Sequence, residues 1–182
     1  MSTKGNITLI LGGARSGKSS YAQKLAEDSG ESVTFIATAQ ALDDEMSARI
    51  QKHRAERAVH WETLEIPVGV AACAQQIKSN VVILDCITLL ISNVLMQFVK
   101  DDRVDESLFL DAVRKEINEL IDALHEHQQD WLIVSNEVGL GLVPAYQMGR
   151  VYRDAIGWAN QQLAHEADKV IFMVAGIPTT VK

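Results

Sequence analysis

The feature that most constrains this chain is a glycine-rich segment at residues 12–19, Gly-Gly-Ala-Arg-Ser-Gly-Lys-Ser, which directly follows an apolar run. Two glycines five residues apart, followed by Lys and Ser, form the phosphate-binding P-loop pattern. A loop that wraps a phosphate turns its backbone N–H groups inward, and glycine permits the necessary backbone angles and close approach. The segment therefore predicts a strand, a phosphate-binding loop and a helix, although a glycine-rich turn that binds nothing would look similar.

The side chains at the end of this loop suit a nucleoside triphosphate and its metal ion. Lys18 can reach the β- and γ-phosphates, and the Ser19 hydroxyl can ligate Mg²⁺. A second element, Val81 to Asp85, is an apolar run closed by an acid. That is the Walker B arrangement, in which the carboxylate holds Mg²⁺ directly or through water, but many strands end in Asp at a turn. The predicted phosphate contacts are Gly12, Gly13, Ala14, Arg15, Ser16, Gly17, Lys18 and Ser19.

Composition narrows the class of protein. A chain of 182 residues suits one domain spanning residues 1–182. The net charge of −7 argues against bulk nucleic-acid binding, which requires a basic face. The two cysteines have no metal-ligand spacing, and no apolar run is long enough to insert into a membrane. We therefore expect a cytoplasmic protein without nucleic-acid partners.

The order of the remaining apolar segments predicts an α/β fold. Short apolar runs rich in β-branched residues indicate parallel strands covered on both faces, and amphipathic or apolar helical segments lie between them. This alternation predicts a doubly wound sheet whose ligands gather at the carboxyl ends of the strands. The expected strands are 7–11, 33–37, 81–84, 131–134 and 169–174. One helix is expected directly after the P-loop, and four more are expected at 43–56, 87–99, 105–127 and 146–167.

The helix predicted at 43–56 carries a histidine among cations. Arg49 and Arg57 lie four residues on either side of His53, so the three share one face if the helix extends that far. Neighbouring cations disfavour protonation of an imidazole and stabilise charge on a phosphate, as a nucleophile that attacks phosphorus requires. A solvated helix with alternating charges would have the same pattern, and the segment alone favours that interpretation.

Polar residues also follow the fourth predicted strand. The segment 135–144, Ser-Asn-Glu-Val-Gly-Leu-Gly-Leu-Val-Pro, is typical either of a substrate-binding flap or of a long connection. Farther along, Arg150 and Arg153 share a helix face that would suit a phosphate or a carboxylate. His125 and His127 are interpreted as solvated, and Trp61 as a packing anchor.

Several motifs together resemble a known family. They are the P-loop at 12–19, Ala-Thr-Ala at 37–39, Asp-Asp-Glu-Met-x-x-Arg-Ile-x-x-His-Arg at 43–54, Trp61-x-x-x-Glu65, Asn-Glu-Val-Gly-x-Gly-x-Val-Pro at 136–144 and Arg-Asp-x-x-Gly-x-x-Asn-Gln-x-Leu-Ala at 153–164. In this order and spacing they resemble the bifunctional adenosylcobinamide kinase/adenosylcobinamide-phosphate guanylyltransferases, over nearly the whole chain.

The resemblance implies two reactions of cobalamin (vitamin B12) assembly, with ATP or GTP as phosphoryl donor and GTP as guanylyl donor. The substrates would be adenosylcobinamide and then its phosphate, with Mg²⁺ as cofactor. It also implies a RecA-like sheet and a homotrimer. His53 corresponds to the family's guanylylated histidine. The family's nucleotide contacts correspond to the P-loop and to Ala37, Thr38, Ala39, Arg54, Ala55, Glu56, Arg57, Glu65 and Asp85.

Two positions depart from the family pattern, and some questions stay open. Asp85 stands where Glu is frequent, which leaves its contact with Mg²⁺ or guanosine undecided, and Ala58 stands where proline is common. Asp85 and Glu137 are both candidates for the base of the kinase step. A plain small-molecule kinase is the alternative function. The sequence has no Asn-Lys-x-Asp motif, which a GTP-dependent switch requires, and no basic strip, which a DNA motor requires.

Overall fold

A computed structural model describes residues 5–41, 43–55, 57–101 and 103–182. The strands are β1 (Ile7–Gly12), β2 (Val33–Ala37), β3 (Glu62–Glu65), β4 (Val81–Asp85), β5 (Val99–Lys100), β6 (Arg103–Val104), β7 (Asp130–Asn136), β8 (Lys169–Val174) and β9 (Ile177–Thr180). The helices are α1 (Lys18–Ser29), α2 (Asp44–Ala55), α3 (Val70–Ala74), α4 (Ile87–Met96), α5 (Glu106–Glu126) and α6 (Gln147–Glu166).

Seven of these strands form one sheet in the order β3-β2-β4-β7-β1-β8-β9. All neighbouring pairs are parallel except β8 and β9, so β9 is an antiparallel edge strand. The registers place Gly12 beside Asn136 and Ala37 beside Asp85. The carboxyl ends of four central strands therefore meet at one edge of the sheet, where an α/β fold binds its ligands.

Alternation along the strands divides the core between the two faces of the sheet. Ile7, Leu9, Val82 and Leu84 belong to a cluster with apolar residues of α3, α4, α5 and α6. The intervening strand positions, such as Ile10 and Ile83, pack in a second cluster with Ala22 and Ala26 of α1. Both faces are thus covered by helices, which confirms the α/β fold expected from the sequence.

The strands predicted at 7–11, 33–37, 81–84, 131–134 and 169–174 are present within one or two residues of their expected ends. The helix expected at 87–99 is shorter than predicted, because α4 ends at Met96 and the chain turns into the antiparallel β5–β6 hairpin. Besides this hairpin, the sequence analysis did not predict the edge strands β3 and β9 or the short helix α3. These elements have four or five residues, and both strands lie at sheet edges with mostly exposed side chains, so neither shows a buried apolar run.

Local signals explain the long helices. The Asp105 side chain accepts a hydrogen bond from the Leu108 N–H and caps α5, whose buried residues recur at helical spacing. Helix α1 ends at Gly30 in the left-handed conformation. Within the described residues, no helix has the length and apolarity needed to cross a membrane.

Candidate active site

The P-loop connects β1 to α1, and two of its glycines are required by the backbone. Gly12 has φ +151°, and a Cβ placed there would lie 2.6 Å from the Met173 carbonyl oxygen. Gly17 has φ +93° and forms the N-cap of α1. Since residues with side chains rarely adopt these angles, glycine at both positions lets the loop turn tightly before the helix begins. The free N–H groups at the start of α1 then face the loop, as an anion site requires.

Lys18 is held against the loop in which it lies. Its Nζ donates to the Gly13 carbonyl oxygen at 2.6 Å and to Ser16 Oγ at 3.4 Å, and the side chain is buried. Burial lowers the pKa of Lys18, while the neighbouring Cys86 and Asp85 oppose that shift. A cation that the protein has already desolvated interacts strongly with an arriving phosphate, because little water has to be removed from it.

Asp85 closes β4 directly opposite this cation. The Ser19 hydroxyl lies beside its carboxylate. Burial raises the pKa of Asp85, and the Ser19 hydroxyl and the charges of His53, Arg57 and Lys18 act in the opposite direction. A half-buried carboxylate among three basic groups is the kind of perturbed acid that clusters at functional sites.

The chemistry of these donors fits a magnesium ion. Mg²⁺ prefers hard oxygen ligands and is usually bound by one or two protein groups together with substrate phosphates and water. Ser19 and Asp85 provide a hydroxyl and a carboxylate oxygen side by side. In the part of the chain that the structure describes, no group of three or more His, Cys, Asp or Glu forms an all-protein metal site. A shared protein–phosphate site is therefore the arrangement that these residues permit.

Helix α2 forms the opposite wall. Met46, Ile50 and His53 recur at helical spacing and line the cleft from one helix face. Arg57, just beyond the helix, stacks its guanidinium on the Phe35 ring with 3.8 Å between Cζ and the ring centroid. Burial lowers the pKa of Arg57, and its Nε has no partner among the described residues. The ring and the surrounding wall thus hold a cation with unused hydrogen-bonding capacity at the cleft.

The cleft between the P-loop and α2 has a volume of about 470 Å³. The structure brings together most of the nucleotide contacts suggested by the sequence. The predicted residues that line it are Ala14, Arg15, Ser16, Gly17, Lys18, Ser19, Ala37, Ala39, His53, Arg57, Glu65 and Asp85.

Five predicted contacts do not line the cleft. Gly12 and Gly13 shape the loop from behind, and Ala55 is exposed at the end of α2. Thr38 is fully buried, where its hydroxyl donates to the Cys86 carbonyl oxygen and accepts from the Cys86 N–H, both at 2.8 Å. Arg54 turns to the surface and pairs with Glu65 at 3.4 Å. The predicted contact Glu56 and the Arg49 side chain lie outside the described residues.

Seven residues that line the cleft were not singled out as nucleotide contacts. They are Ser20, Met46, Ile50, Cys86, Leu89, Val134 and Asn136. The spacing of Met46 and Ile50 relative to His53 was a usable signal. Asn136 had been noted only as part of the segment after a strand, because its proximity to the P-loop depends on strand order.

The other residues noted in the sequence lie elsewhere. Arg150 donates to the carbonyl oxygens of Pro144 and Ala145, and Arg153 pairs with the Asp154 carboxylate. His125 is exposed, as expected, and lies 3.0 Å from a Glu166 oxygen, whereas the Nε2 atom of the half-buried His127 is inaccessible to solvent, so the interpretation of His127 as solvated is wrong. Trp61 is buried in the core beside β2, which confirms it as a packing anchor. For the segment after β7, the two interpretations as a substrate-binding flap and as a long connection both stand.

Comparison with a solved structure supports the fold. The RadB recombinase superposes with a TM-score of 0.51 at 10% sequence identity, covering 93% of this chain and 74% of that one. At this identity the likeness concerns the fold alone, and it agrees with the RecA-like sheet.

Comparison with characterised sequences is far more specific. The family described as cobinamide kinase / cobinamide phosphate guanyltransferase matches residues 8–181. The bifunctional adenosylcobalamin biosynthesis protein CobP of Pseudomonas aeruginosa is 43% identical over 96% of each chain. The bifunctional adenosylcobalamin biosynthesis proteins CobU of Escherichia coli and Salmonella typhimurium are 41% and 38% identical, each over 97% of this chain and 99% of theirs. This chain belongs to the cobinamide kinase/cobinamide phosphate guanyltransferase family.

Proposed function

We propose that the cleft between the P-loop and α2 carries out both reactions of the family, with Lys18 and His53 as its catalytic residues. Family membership makes the chain an enzyme of cobalamin biosynthesis with kinase and guanylyltransferase activities. One observation carries the assignment to this site. His53 lines the same cleft as Lys18 and Asp85, although it comes from a separate helix.

In the kinase step, the hydroxyl of the aminopropanol arm of adenosylcobinamide attacks the γ-phosphorus of ATP or GTP. The bond between that phosphorus and the β,γ-bridging oxygen breaks, the nucleoside diphosphate leaves, and a base takes the hydroxyl proton. Lys18 and the N–H groups of the P-loop bind the phosphates and stabilise the charge on the leaving oxygen. Asp85 lines the cleft and Glu137 accepts a hydrogen bond from the Gly139 N–H, so Asp85 is the base candidate nearer the phosphates if one of its oxygens stays free of the metal ion.

In the guanylyl step, an imidazole nitrogen of His53 attacks the α-phosphorus of GTP, and pyrophosphate leaves as the α,β-bridging bond breaks. A phosphate oxygen of adenosylcobinamide phosphate then attacks the same phosphorus, releasing His53 and forming adenosyl-GDP-cobinamide. Splitting the transfer in this way replaces one difficult displacement by two easier ones. Arg57 provides a nearby cation for the charge that develops on the phosphate.

Mg²⁺ is part of the proposal, held by Ser19 and Asp85. When bound it neutralises phosphate charge during both transfers. The remaining proposed contacts are the P-loop residues 12–17 and Ala37, Thr38, Ala39, Arg54, Ala55, Glu56, Arg57 and Glu65. Thr38 and the two glycines at 12 and 13 would act through the backbone they position. Arg54 would act through its pair with Glu65, which lines the cleft.

A label-transfer experiment tests this assignment. GTP labelled at the α-phosphate should leave an acid-labile, base-stable label on the protein, which peptide mapping should place on His53. A variant with Ala at His60, a histidine on the exposed turn after α2, should label normally. Label on another residue, or none with active enzyme, would show that His53 is not the nucleophile.

We also propose a homotrimer, a cytoplasmic location and a single catalytic domain over residues 1–182. The single sheet with helices on both faces supports the last of these. Light scattering of the purified protein would test the trimer, since a mass near 20.0 kDa, that of one chain, would exclude it.

A further inference from the structure

The end of β7 places a polar side chain in the cleft that neither proposed step uses. β7 lies between β1 and β4, so its carboxyl end emerges between the P-loop strand and the strand that ends at Asp85. Asn136 pairs in register with Gly12, and the next N–H, that of Glu137, donates to the Gly12 carbonyl oxygen at 2.9 Å. Asn136 thus reaches the cleft from the sheet, beside the base of the P-loop.

The backbone of Asn136 is fixed by buried side chains on two helices. Its N–H donates to Thr88 Oγ1 at 2.8 Å, and its carbonyl oxygen accepts from Asn160 Nδ2 at 3.1 Å. Thr88 and Asn160 are 6% and 5% exposed. Among the described residues, these partners bind the main chain of Asn136, so its side-chain amide is presented to the cleft from a rigid support.

The buried Asn160 side chain, which holds the main chain of Asn136, is unfavourable for the stability of the fold. Its Oδ1 is buried and has no hydrogen-bond partner among the described residues. A buried amide with half of its capacity unused destabilises a fold relative to an apolar residue of similar size. Its hydrogen bond to Asn136 gives a functional reason for its presence, because that bond sets where the Asn136 side chain projects.

We infer that Asn136 contacts the γ-phosphate of the bound triphosphate, with its Nδ2 donating to a γ-phosphoryl oxygen, and that Asn160 is a positioning residue for it. The inference rests on the proposed nucleotide site. Lys18 approaches the phosphates from the loop, and Asn136 approaches from the strand that pairs with the one preceding that loop. A neutral donor binds a phosphoryl oxygen without adding another charge to the cluster of Lys18, Arg57 and Asp85.

This contact would let the enzyme distinguish a triphosphate from the diphosphate that the kinase step releases. The γ-phosphoryl oxygens are absent from the product, whereas the groups that hold the β-phosphate contact both nucleotides. Asn136 therefore contributes to the affinity for the triphosphate and to the rate of phosphoryl transfer, and not to the affinity for the diphosphate.

Calorimetric titration with Mg²⁺ and either β,γ-imido-ATP or ADP tests the contact without catalysis, because the imido bridge blocks γ-phosphoryl transfer and the adenine nucleotide is not the guanylyl donor. Asn136→Ala should lower the ratio of triphosphate to diphosphate affinity about tenfold, the usual worth of a hydrogen bond to a charged group. Asn136→Asp should lower it at least as much, because a carboxylate repels the phosphate. Asn80→Ala, a change to an exposed asparagine at the opposite end of the sheet, should leave the ratio unchanged.

A change of less than about threefold in Asn136→Ala overturns the inference and leaves the proposed function standing. If Lys18→Ala binds both nucleotides as well as the wild type does, the nucleotide site itself is wrong. Asn160→Leu tests the positioning role. It should lower the same ratio and the kinase kcat, whereas a merely structural asparagine would change the Tm and leave the ratio intact.

Discussion

The two walls of the cleft, the P-loop and helix α2, differ in how firmly the rest of the fold holds them. The P-loop is continuous with a central strand, and its glycine angles, its buried Lys18 and its bond from Gly176 N–H to the Ser16 carbonyl oxygen fix it to the sheet. Along its described side chains, helix α2 is polar and largely exposed, and a stripe that includes Ile50 and His53 faces the cleft. One wall is thus the rigid surface proposed to bind phosphate, and the other presents the proposed nucleophile on a lightly packed helix. This difference suggests that binding and guanylyl transfer can be separated by mutation.

The largest expected effect is on the α2 side. His53→Ala should lower guanylyl transfer at least about 10⁴-fold, because it removes the proposed nucleophile, while the kinase step keeps most of its rate. Separate assays for adenosylcobinamide phosphate and for adenosyl-GDP-cobinamide measure the two steps, with His60→Ala as the control. Equal loss of both activities in a folded variant would contradict the division between the walls.

Lys18→Ala should affect both reactions together. Loss of one preorganised cation or donor at the transferring phosphate typically costs about 10²–10³-fold in rate. Lys24→Ala removes an exposed lysine from the same helix and should be neutral. If Lys18→Ala impaired only the kinase step, the guanylyl step would not use the P-loop, and the single-cleft proposal would need two nucleotide sites.

Gly12→Ala tests the rigidity of the P-loop wall through stability. A Cβ at this positive φ, 2.6 Å from the Met173 carbonyl oxygen, should lower the free energy of unfolding by about 1–3 kcal/mol. Gly13→Ala is a matched control, because an added Cβ there meets nothing within 4 Å. Urea denaturation of the two variants compares them. Equal stabilities would mean that the loop yields more easily than its geometry indicates.

The smallest effect concerns Asp85, which lies where the two walls meet. Burial raises the pKa of Asp85, so the folded state holds its proton more tightly than the unfolded state does. Stability therefore falls as the pH rises from the unfolded pKa of this group through its folded pKa, and the cost persists above it. Asp85→Asn removes that cost, so its Tm should be higher at neutral pH although both activities fall. Thermal melts across pH should show a flatter slope for this variant, and a lower Tm would indicate that pairing with Lys18 and Arg57 outweighs desolvation.

Much of the site was predictable because its signals are local. The P-loop needs only eight consecutive residues, and its strand and helix follow from neighbouring apolar patterns. The helix around His53 was also predicted, but its own residues favoured a solvated surface, and only the family motifs pointed to a catalytic role for the histidine, which stays a proposal. The sequence did not predict the partners of Thr38 and Arg54, since Thr38 bonds to the buried backbone of Cys86 and Arg54 pairs with Glu65 at the surface.

The sequence by itself determined the phosphate loop, the alternation of strands and helices, and the family, because each depends on nearby residues or on ordered motifs. Only the tertiary structure decided that β7 lies between β1 and β4, that α2 faces the P-loop, and that Asn136 emerges beside Gly12. These juxtapositions depend on crossovers and strand register between segments that are not neighbours along the chain, such as those of Gly12 and Asn136, which a local pattern does not encode. The P-loop lies in one continuous stretch of the chain, whereas the residues around it come together only when the sheet forms.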